Sequence, residues 1–229
     1  MAGSLTVRQG ALAGHLTATA GFVDGLAFIH LGGYFVSFMS GNSTRAGADL
    51  ATGDLLGWVK AMGLVLFFVV GVVASSLAVH MRASRSGRTP PYGPRSTAVW
   101  VSLILLLSAA VCASVPVLQI AVAPAIAASM GAVNGTFTRG GEVTVGLTYM
   151  TGTLVKMGQH LAHAVTGGNR TIWLRYLVLW CAIAVGAIAG AVAYQVLGLG
   201  ALWIAVLLLL VPAVVLSLRG PRAAWSSQT

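Results

Sequence analysis

Two short stretches of this sequence place small hydroxyl and amide side chains beside glycine in otherwise apolar surroundings: Ser40-Gly41-Asn42-Ser43 and Thr151-Gly152-Thr153. A basic residue follows each within one helical turn, Arg45 in the first and Lys156 in the second. A helix N-terminus leaves backbone N–H groups unpaired and carries roughly half a positive charge, so small residues there followed by a cation suit a small anion. The same side chains serve as N-caps, so both capping and solute binding are open to them. Asp24 is the acid embedded in a long apolar segment, and the equivalent residue of the second half, Asn134, is neutral. An acid in that setting carries a coupling proton or cation, or stands as a fixed counter-ion that tethers Arg45.

Other chemistry finds little support. His160 and His163 are three residues apart on one segment with no third ligand, which reads as a helix-end pair rather than a metal site. Cys112 and Cys181 sit inside apolar runs as small packing residues. No His-Glu-x-x-His, Gly-x-Ser-x-Gly or phosphate-binding Gly-x-x-x-x-Gly-Lys pattern occurs. The expectation is a non-enzyme with no cofactor and no metal.

The elements that must position these residues are membrane helices. Of 229 residues, 57% are hydrophobic and only 7% charged, against about 25% charged in soluble domains. Apolar or semi-apolar segments cover 15–31, 34–53, 56–79, 97–115, 117–138, 144–165, 172–196 and 201–218. The 13 basic residues against 4 acidic ones fall mainly in the short connections between segments, which marks topology rather than a nucleic-acid surface. No apolar stretch followed by a small-residue cleavage site opens the chain, so no cleaved leader is expected.

The two halves repeat each other. Gly21-Phe22-Val23-Asp24-Gly25 returns as Gly131-Ala132-Val133-Asn134-Gly135, Gly32-Gly33 as Gly140-Gly141, and Met39-Ser40-Gly41-Asn42 as Met150-Thr151-Gly152-Thr153. Arg45 then falls on Lys156, Trp58 on Trp173, Lys60 on Arg175 and Gly71 on Gly186. If the second and sixth segments dip in and return, six crossings remain. Arg8, Arg82, Arg85, Arg88, Arg95, Arg139, Arg170, Arg175, Arg219 and Arg222 then share the inner side, and only Lys60 lies outside. Eight crossings would instead leave Arg8, Lys60, Arg170, Arg175, Arg219 and Arg222 outside. The positive-inside rule selects six, and three crossings per unit make the repeat an inverted one.

The expected fold is therefore all-α and polytopic, with six transmembrane helices, two re-entrant half-helices and an inverted-topology repeat. Residues 1–14 and 219–229 form cytoplasmic termini, 15–115 the first unit with its re-entrant stretch 34–53 and basic loop 81–96, and 116–218 the second with its re-entrant stretch 144–165. In each re-entrant stretch an extended run leads to a capped half-helix, the first spanning about Ser43–Thr52. Asp49, Asp54 and Lys60 read as outer surface charges, and Glu142 as a solvated loop charge.

Gly21-Phe22-Val23-Asp24, Gly32-Gly33-Tyr34-Phe35, Met39-Ser40-Gly41-Asn42 and Tyr149-Met150-Thr151-Gly152 together resemble the YoaK-like family of bacterial inner-membrane proteins, a family of unknown function, over nearly the whole chain. Ser40 stands where that family usually has Thr, which keeps the hydroxyl. Paired half-helices after extended stretches are also similar to the core of sulfate permeases and nucleobase transporters, an architectural likeness only. The resulting expectation is an inner-membrane carrier or channel-like homodimer with cytoplasmic termini. A small inorganic or carboxylate anion would bind at Ser40, Gly41, Asn42, Ser43, Arg45, Thr151, Gly152, Thr153 and Lys156, with Asp24 and Asn134 as coupling or counter-ion positions. A neutral polar solute such as a nucleobase, or a non-transporting scaffold, are the alternatives.

Overall fold

The computed structural model describes residues 6–85, 94–139 and 142–218. The expected break at Gly140-Gly141, residues 86–93 of the basic loop and the tail 219–229 lie outside them. Helix α1 (Val7–Leu31) starts at a reciprocal cap: the Thr6 hydroxyl accepts from Gln9 N–H and the Gln9 side chain accepts from Thr6 N–H. It stops at Gly32 and Gly33, whose φ angles of 69° and 95° are left-handed and favour glycine. The chain reverses there, and residues 34–38 run back along α1 to α2 (Met39–Ala51). Then come α3 (Leu55–Arg85), α4 (Ser96–Ala113), a 3-10 turn (Pro116–Ala121) and α5 (Val122–Asn134). A two-residue ladder pairs β1 (Thr138–Arg139) with β2 (Glu142–Val143) ahead of α6 (Met150–Val165), α7 (Ile172–Leu197), a second 3-10 turn (Gly198–Ala201) and α8 (Leu202–Leu218).

Five helical stretches among the described residues are long and apolar enough to cross a membrane: Val7–Leu31, Leu55–Arg85, Ser96–Ala113, Pro116–Asn134 and Ile172–Leu218. The last holds both α7 and α8. Neither α2 nor α6 is among them, and α6 opens after bends and turns at 144–149 rather than a fully extended run.

Glycines decide which helices meet. Helices α1 and α7 touch backbone to backbone: a methyl group added at Gly21 or Gly25 would strike the carbonyls of Ile183 and Ala187, and one at Gly186 or Gly190 those of Ala18 and Phe22. Helices α3 and α5 meet the same way, Gly71 against the Ala128 carbonyl and Gly131 against that of Phe68, with Ser75 Oγ 2.8 Å from where a Gly135 Cβ would stand. Residue numbers rise together along both contacts, so each pair runs in one direction. Lipid offers little hydrophobic drive between helices, and close backbone approach supplies the van der Waals contact that holds them. The repeat alignment carries Gly21 to Gly131 and Gly71 to Gly186, and it exchanges one contact for the other. Helix α4 closes the bundle, joined to α5 by Ser102 and Ser129 hydroxyls 2.9 Å apart and to α8 by a 2.8 Å hydrogen bond from Trp100 Nε1 to Ser217 Oγ.

Candidate functional site

The Asp24 carboxylate faces the returning segment 34–38. Its Oδ1 accepts from Val36 N–H at 2.8 Å and Ser37 N–H at 2.9 Å, and its Oδ2 accepts from the Ser37 hydroxyl. Among the described residues no cationic side chain stands among its partners, so the tether to Arg45, one of the two roles open to it, does not form. Arg45 instead donates from Nε to Asp49 Oδ1 at 2.9 Å, one turn along its own helix, where reach is shortest. Asp49 is buried rather than a surface charge, because Tyr34 also donates to its Oδ2 at 2.8 Å. The Arg45 guanidinium and the Lys60 ammonium lie 4.8 and 4.5 Å from the Tyr34 ring centre, and Lys60 reaches back to the Leu31 carbonyl.

The expected caps are corrected too. Helix α2 begins at Met39, four residues before the predicted start, and neither it nor α6 has a side-chain N-cap hydrogen bond. Starting that early places the hydroxyls inside the first turns. Ser43 and Thr44 therefore donate back to the Met39 and Ser40 carbonyls, and Thr153 to that of Tyr149. Asn42, fully buried, closes a two-way bond with the Phe35 backbone, accepting from N–H at 2.9 Å and donating to the carbonyl at 2.6 Å. Ser40, Thr151 and Gly152 are exposed, and Gly41 packs beneath the Phe35 and Phe38 rings. Lys156 is exposed and has no ion-pair or hydrogen-bond partner among the described residues.

A second latch mirrors the first. Thr148 donates to Asn134 Oδ1 at 3.3 Å while Asn134 Nδ2 donates to the Met130 carbonyl at 2.9 Å. Both latch hydroxyls, Ser37 and Thr148, line one cavity of about 560 Å³ between α1 and α7. Phe38 and Met150, at the starts of α2 and α6, border it as well, so both helix starts open on one space. Asp24 forms its polar floor, while Phe28, Phe35 and Trp180 supply aromatic wall and Gly21 and Gly25 line it where α1 meets α7. Its volume suits a drug-sized solute, and a mostly apolar wall with a few polar groups is how such sites are built. Neither Arg45 nor Lys156 lines it, nor do Ser40, Gly41, Asn42, Ser43, Thr151, Gly152 or Thr153.

Sequence reading missed Ser37, Thr148, Phe35, Phe38 and Trp180. A signal existed for the first two: the offset of 111 that aligns Met39 with Met150 also aligns Ser37 with Thr148. For Trp180 there was none, since its place depends on which helix crosses α1. His160, by contrast, stacks on Tyr176 with ring centres 5.3 Å apart.

No solved structure matches the chain. It is 34% identical over 194 residues to the UPF0700 transmembrane protein RA0705 of Rhizobium meliloti (strain 1021), covering 85% of this chain and 80% of that protein. The family model described as "Protein of unknown function (DUF1275)" matches residues 12–215. A match of that extent, on a chain whose apolar helices are laid out for repeated membrane crossing, places this protein in the DUF1275 family of uncharacterised membrane proteins.

Proposed function

We propose that this protein is a secondary carrier whose solute site is the cavity between α1 and α7. The observation that carries the reading is that both half-helix entrances, α2's through Ser37 and Phe38 and α6's through Thr148 and Met150, border one cavity floored by a membrane-embedded acid. Broken helices meeting at an intramembrane site are the working parts of many secondary transporters, and an ionisable residue at that depth marks a solute or ion path.

Helix directions support the inverted repeat. Lys60 at the start of α3 meets Leu31 at the end of α1, so these two run oppositely, and α5 runs with α3. Helix α5 therefore opposes α1, its counterpart in the repeat. The Trp100–Ser217 bond likewise sets α8 against α4. Six crossings with α2 and α6 re-entrant accommodate these directions, and the distribution of basic residues then favours cytoplasmic termini.

The solute reading shifts away from a small anion. Arg45 is neutralised by Asp49, and no basic side chain lines the cavity, whereas Asp24 does. An uncharged or positively charged solute fits this lining, and an anion would face an uncompensated carboxylate.

Cysteine accessibility tests the carrier. In a Cys112→Ala/Cys181→Ala background, Ser37→Cys and Thr148→Cys are exposed to a membrane-impermeant maleimide from each side of sealed vesicles. Alternating access predicts labelling from both sides across the population. Labelling of neither position from either side would favour the scaffold reading and defeat the carrier.

A further inference from the structure

The side-chain hydrogen-bonding capacity left in this cavity is almost entirely that of an acceptor. A carboxylate has about four lone-pair sites and no hydrogen to give. At Asp24, Oδ1 is filled by Val36 N–H and Ser37 N–H, and Oδ2 receives the Ser37 hydroxyl hydrogen and keeps one site open. The Thr148 hydroxyl hydrogen is committed to Asn134, so its oxygen also retains only lone pairs. Among the lining side chains, the Trp180 indole alone retains a hydrogen to donate. A ligand that pairs with this floor must therefore bring its own N–H or O–H groups.

Charge and ring placement narrow the choice. Asp24 is the one titratable group among the described lining residues, and its partners, two backbone amides and one hydroxyl, are all neutral. An intramembrane carboxylate without a counter-charge is costly, and a cation beside it recovers much of that cost. Phe28 and Phe35 have ring centres 4.9 Å apart, and Phe35 and Phe38 have theirs 5.2 Å apart, so three clustered aromatic rings share the lining with the carboxylate. Aromatic faces attract cations, most strongly where water is excluded. At the rim, Ile188 is 66% exposed and Phe28 42%, so the mouth lies at the apolar outer surface of α1 and α7 and admits a molecule with an apolar body.

From these observations we infer that the cavity binds a hydrophobic ammonium cation, its N–H groups on Asp24 Oδ2 and Thr148 Oγ1 and its apolar body against the phenylalanines and Trp180. This deepens the carrier reading and rests on the cavity being its solute site.

The test uses the full chain in an uncharged detergent at pH 7, with three probes of nearly one shape: phenethylammonium, 2-phenylethanol and phenylacetate. Saturable binding is followed by equilibrium titration and by quenching of tryptophan fluorescence, with Trp180→Phe as the control that locates the signal. Phenethylammonium is expected to bind at least tenfold tighter than 2-phenylethanol, phenylacetate weakest of all, and the quench to disappear in Trp180→Phe. In Asp24→Asn the preference for the amine over the alcohol should fall below about threefold, a charge-assisted bond having become a neutral one. The wild-type comparison stands by itself if that variant folds poorly. Equal affinities for amine and alcohol, a preference for phenylacetate, or no saturable binding would overturn the inference. Amine binding as described, together with Ser37→Cys and Thr148→Cys closed to both aqueous sides, would keep the cation site and remove the carrier.

Discussion

Asn42→Leu isolates the bond that shapes the entrance to α2. The substitution keeps nearly the same volume and removes both hydrogen bonds to Phe35, one to its N–H and one to its carbonyl, at a side chain with 0% exposure. Each buried polar group stripped of its partner costs about 1–3 kcal/mol, so the pair predicts a loss of about 2–6 kcal/mol. Full burial of the amide leaves water no place to replace them, which favours the upper half of that range. Unfolding in mixed micelles with increasing SDS fraction measures the difference directly. Ser43→Ala is the matched control: its hydroxyl is exposed and only bonds back to Met39, so a change within about 0.5 kcal/mol is expected. A loss below 1 kcal/mol for Asn42→Leu would refute the claim that this amide holds the segment 34–38 in place.

Three further outcomes follow from the same contacts. Gly190→Leu forces a side chain into the Phe22 carbonyl and is expected to cost at least about 1–3 kcal/mol, whereas Gly158→Ala, with nothing within 4 Å, should stabilise its helix by up to about 1 kcal/mol in the same SDS assay. Tyr34→Phe leaves Asp49 Oδ2 without its donor and is expected to cost about 1–3 kcal/mol, seen as a lower thermal midpoint, with no loss if Arg45 alone suffices. Leu56→Cys, Ser84→Cys and Val165→Cys in the cysteine-free background report topology through impermeant labelling: six crossings put Val165 on the side of Ser84, and eight would put it with Leu56.

Local chemistry was legible in the sequence where one residue type decides the outcome. Gly32-Gly33 ends α1 because φ angles of 69° and 95° suit few other residues, and Gly71 and Gly186, aligned by the repeat, both sit at close helix crossings. The caps were misread because a hydroxyl near a helix start either caps it or bonds back to the preceding turn. Which occurs depends on where the helix begins, and Met39 rather than Ser43 begins α2. Arg45 and Asp49 are four apart, a spacing that favours their pairing over one with Asp24, yet the depth of Asp49 comes from Tyr34, which only the chain reversal brings near. The cavity was invisible for a related reason. Asp24 and Trp180 share it only because α1 crosses α7, a contact that no local pattern announces.

That crossing also sets a timetable for assembly. The glycine face of α1 is covered by Ile183 and Ala187, about 160 residues further along the chain. At about 5–20 residues per second of synthesis, α1 waits roughly 8–30 s in the membrane before its partner emerges. During that interval the Asp24 side chain already has the segment 34–38 to cover it, so the latch of Val36 and Ser37 on Asp24 is available long before α7. The order of synthesis thus lets the segment ahead of α2 close on its acid first, and makes the arrival of α7 the step at which the cavity between α1 and α7 comes into being.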